Sequence, residues 1–220
     1  MSAPRHLARN ILASLALTLP LIGCGDILPK KDPLQMLTPQ IHVDSDPAWP
    51  HVGWQLTVAR PTSNEMLDSR RMVVIPAPGQ IQVYKGVTWD DSVPDIVQVT
   101  VVHAFEDSGK ILAVGHQTAG LRSDFMLQLD LRDDQAVYRT PAGPPEIDVT
   151  ITAKLIEYSS SRVVASHTFH QSVPASGTGV PAVAQAFDNA LGALVHDVVG
   201  WTLTSGQQAH LAAESAASKH

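Results

Sequence analysis

Ten histidines, 21 acidic residues and a single thiol, Cys24, are the side chains in this 220-residue chain with the chemistry to hold a metal, move protons or attack an electrophile. Their spacing argues against most of that chemistry. A zinc site gathers three or four ligands, through motifs such as H-E-x-x-H or paired cysteines, and the sequence contains neither. His167 and His170 would fall on opposite faces of a strand, because side chains alternate with period two. Asp107-Ser108-Gly109-Lys110 ends like a phosphate loop, but the glycine required upstream is replaced by Ala104. A helix end and turn is the better reading. The G-x-S-x-G elbow that exposes a serine nucleophile is missing. Asp90-Asp91 and Asp133-Asp134 are expected in solvated turns, where short acidic side chains bond to nearby backbone. No catalytic group, metal site or cofactor is expected.

Cys24 remains. The segment before it carries Arg5, His6 and Arg9 without an acid, then an apolar run from Ile11 to Leu21. These are the n-region and h-region of an export signal. The run falls short of the roughly 20 apolar residues that a spanning helix needs. Leu21-Ile22-Gly23-Cys24 resembles the lipobox of bacterial lipoprotein precursors. The resemblance implies cleavage after Gly23, alkylation of the Cys24 thiol with diacylglycerol and acylation of the new amino terminus. Several buried acyl chains hold a protein to a bilayer far better than one. Gly25, standing where sorting rules place an inner-membrane aspartate, implies the periplasmic face of the outer membrane. As the only cysteine, Cys24 leaves no intrachain disulfide, so the exported domain relies on its core.

Without residues 1–23 the chain keeps 13 basic residues against 21 acids, a net charge of minus eight. That balance argues against nucleic acid, whose binding is driven by lysine and arginine neutralising phosphates. Residues 24–50, with Pro29, Pro33, Pro39, Pro47 and Pro50, read as an extended tether. Residues 205–220, rich in alanine, serine and glutamine, read as a flexible tail. Between them, residues 51–204 form one periplasmic domain of ordinary size.

Strands are predicted where apolar residues alternate: at Trp54, Leu56 and Val58, along Phe125 to Leu131, and along Ile147 to Leu155. The last turns at Ser159-Ser160-Ser161 into residues 162–171 as an antiparallel hairpin. Val180 to Trp201 places Val183, Phe187, Leu191, Leu194 and Val198 on one helical stripe. Residues 94–108 are predicted helical because Pro94 suits a first turn, Val97, Val101 and Phe105 share a face, and Gly109 suits the position after the cap. The fold class is therefore α/β, a mixed sheet packed by two main helices. Trp89 and Trp201 read as core anchors, with a lipid or partner surface as the alternative. Trp49 and Trp54 are placed to clamp the tether's end.

Several pieces in order resemble the ABC-type transport auxiliary lipoproteins, the family that includes PqiC-like proteins. They are Trp54 to Pro61, Leu67-Asp68-Ser69-Arg70-Arg71, Tyr84-Lys85-Gly86-Val87-Thr88-Trp89, Pro94-Asp95, Ala104 to Gly109, Ser123-Asp124-Phe125, Ala186-Phe187 and Trp201. Arg71 departs from the pattern, standing where relatives often place an apolar residue. The resemblance implies a non-catalytic outer-membrane lipoprotein. Its implied partners are an ABC ATPase, a permease and a mammalian-cell-entry (MCE) protein that move lipid between membranes, with a ring-like homo-oligomer expected. Two other readings stay open. A tethered small-ligand binder or hydrolase would show a pocket with converging polar groups. A purely structural envelope protein would affect the envelope without changing lipid traffic.

Overall fold

A computed structural model describes residues 33–117, 123–140 and 142–218. In chain order the strands are β1 (Gln35–Leu37), β2 (Val52–Val58), β3 (Thr62–Ser63), β4 (Val73–Ile75), β5 (Gln82–Val83) and β6 (Val87–Trp89). Helix α1 (Val93–Ser108) follows, then β7 (Ile111–His116), β8 (Phe125–Val137), β9 (Glu146–Glu157), β10 (Arg162–Pro174) and helix α2 (Val180–Ala217).

β8 is the spine of the main sheet. β9 runs antiparallel along it, and β10 pairs antiparallel with β9 to complete the expected hairpin. On its other side β8 is met in succession by β2, β3 and β4, all parallel. The path β10-β9-β8-β2-β7 is therefore mixed, curls, and leaves the short β1–β6 pair apart from it. Both helices cover one face. The predicted apolar faces meet there: Phe125, Leu127, Leu129 and Leu131 of β8, Ile147 to Leu155 of β9, and Val97, Val101 and Phe105 of α1 are all buried. Burial of such side chains is worth about 1.5–3 kcal/mol each and supplies the stability that disulfides cannot.

The α1 boundaries follow the sequence signals. Pro94 sits in the first turn, and Gly109 adopts the left-handed conformation at φ 61°, with its N–H donating to Glu106 O at 3.1 Å. Glycine takes that conformation without the steric cost a Cβ would bring. Lys110, the last residue of the phosphate-loop echo, donates from Nζ to Pro47 O at 3.2 Å.

Three sequence expectations need correction. The tether assigned to residues 24–50 does not extend that far, since from Leu34 onward the chain lies on the domain. β1 pairs in parallel with β6, Ile41 and Val43 pack against the core, and Trp49 is buried. Prolines break regular ladders, but they do not prevent apolar residues between them from finding a surface. Residues 205–217 of the expected tail continue α2, because alanine and glutamine are good helix formers once a packed helix precedes them.

The third correction concerns Asp133-Asp134, which lies within β8 and not in a turn. Leu131 pairs with Ile151 and Asp133 with Thr150, so Arg132 is an extra residue in the strand. A bulge of this kind reverses the alternation beyond it. Asp134 and Ala136 consequently take the buried face begun by Phe125.

Candidate functional site

Cys24 and the lipobox residues Leu21, Ile22 and Gly23 lie outside the described residues. Within them, the groups that converge are gathered where the arm, residues 34–50, crosses α1, β6 and α2. β1 fixes the arm's start, Gln35 N donating to Gly86 O at 2.8 Å. Gly192 fixes its middle, for a β-carbon there would lie 2.6 Å from His42 O. Beneath Pro39 and Ile41 is a small hollow of about 20 Å3, walled by Trp89, Ile96 and Phe187 and reached by two acids, Asp134 and Asp188.

Asp134 is 6% exposed, and among the described residues its carboxyl has no hydrogen-bond donor. Burial alone pushes it up to about 7, because removal from water penalises the charged form. Asp188, 8% exposed on α2, is raised for the same reason, opposed by the backbone N–H of Gln40, which donates to it. The arrangement offers proton-holding acids in an apolar setting. It offers no neighbouring nucleophile, and no group of three metal-ligating side chains is found among the described residues.

A charged brace holds the start of α1 beside the hollow. Arg60 donates from Nε to Asp95 Oδ1 at 2.6 Å and from Nη2 to Asp95 Oδ2 at 3.0 Å, and from Nη2 to Asp68 Oδ1 at 2.7 Å. Ser92 Oγ also donates to Asp95. The guanidinium holds the Asp95 carboxyl below the usual carboxylate range and is itself raised, chiefly by its bond to Asp95.

The two tryptophans singled out from sequence are separated. Trp89 is 3% exposed, edge-on to Phe187 with ring centroids 5.6 Å apart, and forms part of the hollow's wall. Trp201 is half-buried and meets Phe169 of β10 at 5.8 Å. The fourteen-residue step along α2 from Phe187 to Trp201 sets these two contacts about 21 Å apart along the helix. His167 and His170 do face opposite ways, His167 toward Trp201 and His170 toward Thr150 on the other side of the sheet. Sequence reasoning missed Asp134, Asp188 and the arm residues above them. A helical glycine at 192, where alanine would be the better helix former, was the available sign of a close approach.

The sequence profile of the ABC-type transport auxiliary lipoprotein component family matches residues 34–199, the arm, sheet and most of α2 together. The chain belongs to this family. The family is described as the auxiliary lipoprotein component of ABC-type transport. A Xanthomonas campestris protein of known crystal structure is 42% identical to this family member, covers 80% of it and 99% of its own chain, and superposes with a TM-score of 0.77. A second solved structure, of an uncharacterized protein, is 11% identical over 75% of this chain and 96% of its own, with a TM-score of 0.59, a likeness of fold alone. An uncharacterized Bradyrhizobium diazoefficiens protein is 26% identical over 78% of this chain, and the chain spans only 46% of that curated relative's length. Among the described residues no helix is long and apolar enough to cross a membrane.

Proposed function

We propose that this auxiliary lipoprotein is anchored through Cys24 to the periplasmic face of the outer membrane, where it serves as a non-catalytic docking subunit for an MCE-type lipid transport system. The observation that carries the reading is the family match over residues 34–199 standing directly behind a lipobox at Leu21 to Cys24. ATP hydrolysis belongs to other subunits in this scheme. Acyl chains fix the location, the residues between Cys24 and the arm set the reach, and the domain supplies the contact surface, as one copy in a ring of like copies. Purification of the tagged chain from native membranes should recover MCE and ABC permease or ATPase components; recovery of neither would reject the partnership. Cys24→Ala should yield a folded domain that leaves the membrane fraction, and continued sedimentation of that variant with membranes would reject the anchor.

A further inference from the structure

A groove of about 650 Å3 runs between residues 38–45 of the arm and the outer side of α1, and it meets the hollow at Pro39, Ile41 and Ile96, which line both. Its described lining is mainly acidic. Asp44, Asp90, Asp91 and Asp107 stand along it with His42 and His103, His42 Nε2 lying 3.1 Å from Asp44 Oδ1, and no lysine or arginine is among the described lining residues. Asp95 lines it too, but is already paired with Arg60. At the inner end stands Asp134, more than nine-tenths buried and without a donor among the described residues. A carboxyl so placed is held neutral or is met by a cation, since an unpaired buried charge is expensive.

The dimensions narrow the cation. A hollow of about 20 Å3 accepts one water-sized group, which suits an ammonium better than the larger planar guanidinium. The apolar mouth formed by Ile41 and Ile96 suits a methylene stem, in the way lysine lays its chain along apolar surface. Asp95 and Asp107 are twelve residues apart on α1, about 18 Å. That length matches an extended segment of five or six residues better than a small free amine.

We propose that groove and hollow together dock a lysine-bearing segment of a protein partner. The ammonium enters the hollow and pairs with the Asp134 carboxylate, while the flanking residues lie along α1 under the rim acids. Those acids steer a cationic segment toward the site and suppress anionic ones. An aminophospholipid would set its phosphate against the same carboxylates, so a lipid head group is disfavoured by the charge that favours the peptide.

Calorimetric titration of the intact lipoprotein in detergent tests this with a blocked pentapeptide whose central lysine is flanked by isoleucines. Saturable binding is expected, weakened at least tenfold when norleucine or arginine replaces the lysine and at least tenfold in Asp134→Asn. Ile41→Trp, which fills the mouth and leaves both acids in place, should weaken it equally, and thermal melts establish that each variant is folded. Equal affinity for the norleucine or arginine peptide, unchanged affinity in folded Asp134→Asn, saturable binding of spermidine but not of the peptide, or no binding at all would overturn the proposal.

Discussion

Gly200 of α2 lies so close under the indole of Trp49 that a β-carbon on it would stand 2.5 Å from Trp49 Nε1 and 3.2 Å from Cδ1 and Cε2. Trp49 is 8% exposed and is flanked by the ring of His196 at 4.9 Å, so the indole has little room to give. This contact ends the arm and seats it on the last helix. Gly200→Ala should gain about 1 kcal/mol of helix propensity and lose about 1–3 kcal/mol to overpacking, with the loss dominant. The expected result is a lower melting temperature together with faster proteolysis in residues 38–49. A variant as stable as the parent, with unchanged Trp49 fluorescence, would show that the arm is not seated by this contact.

Asp134 gives the domain an acid-favouring stability component. Its carboxyl ordinarily titrates at 3.8 and is pushed up to about 7 by burial. Below both values the folded and unfolded chains are equally protonated there. Between them the unfolded chain has released a proton that the folded chain keeps, so stability falls as pH rises, by about 1.4 kcal/mol per pH unit, and levels off above 7. Asp188 contributes in the same direction. Asp134→Asn removes the larger part, so its stability advantage over the parent should widen from pH 4 to pH 7 in urea unfolding. Parallel pH profiles for the two proteins would contradict this.

The fate of these two acids marks what could and could not be read in advance. The alternation from Phe125 to Leu131 and from Ile147 to Leu155 was legible because period-two burial leaves a direct trace in the sequence. The same trace misleads beyond Leu131, since the extra residue Arg132 carries no local signature and reverses the faces. α1 was legible through Pro94 and Gly109, whose backbone constraints are intrinsic. The arm was not, because its apolar residues are irregularly spaced among prolines and acquire meaning only against Gly192 and Gly200, far along the chain. The hollow combines both blind spots, being made of the residue the bulge turned inward and the segment read as a tether. The proposed anchor, by contrast, rests on local sequence alone, and Leu21 to Cys24 can be read without any fold.

Trp89 and Trp201 should respond differently to removal. Trp89 is enclosed by the core and stands edge-on to Phe187, so Trp89→Ala should cost about 3–5 kcal/mol, the range for truncating a buried aromatic. Trp201 keeps part of its ring in solvent beside Phe169 and His167. Trp201→Ala should cost about 1 kcal/mol, in the ordinary range for a partly exposed site. Chemical denaturation of the two variants measures both. Comparable losses would mean that Trp201 is as enclosed as Trp89, for instance by a second copy of the chain, and the loss for Trp201 would then depend on protein concentration.

The end of α2 can be divided by truncation. Leu203 and Gly206 are buried, and a β-carbon on Gly206 would lie 2.4 Å from Trp54 Cζ2, so this turn closes over an indole that is itself fully buried. Residues 211–218 are exposed throughout. Their helix rests on propensity and on the turns before it, which is marginal support for a helix end. Ending the chain after His210 should therefore change stability by less than about 0.5 kcal/mol, the usual scale for exposed positions. Ending it after Thr204 uncovers Trp54 and should cost several kcal/mol, seen as a red-shifted tryptophan emission and an earlier denaturation midpoint. If both truncations proved equally harmless, the packing of Gly206 on Trp54 would have no energetic role; if both proved equally damaging, the exposed turns would have to contact something beyond the single chain.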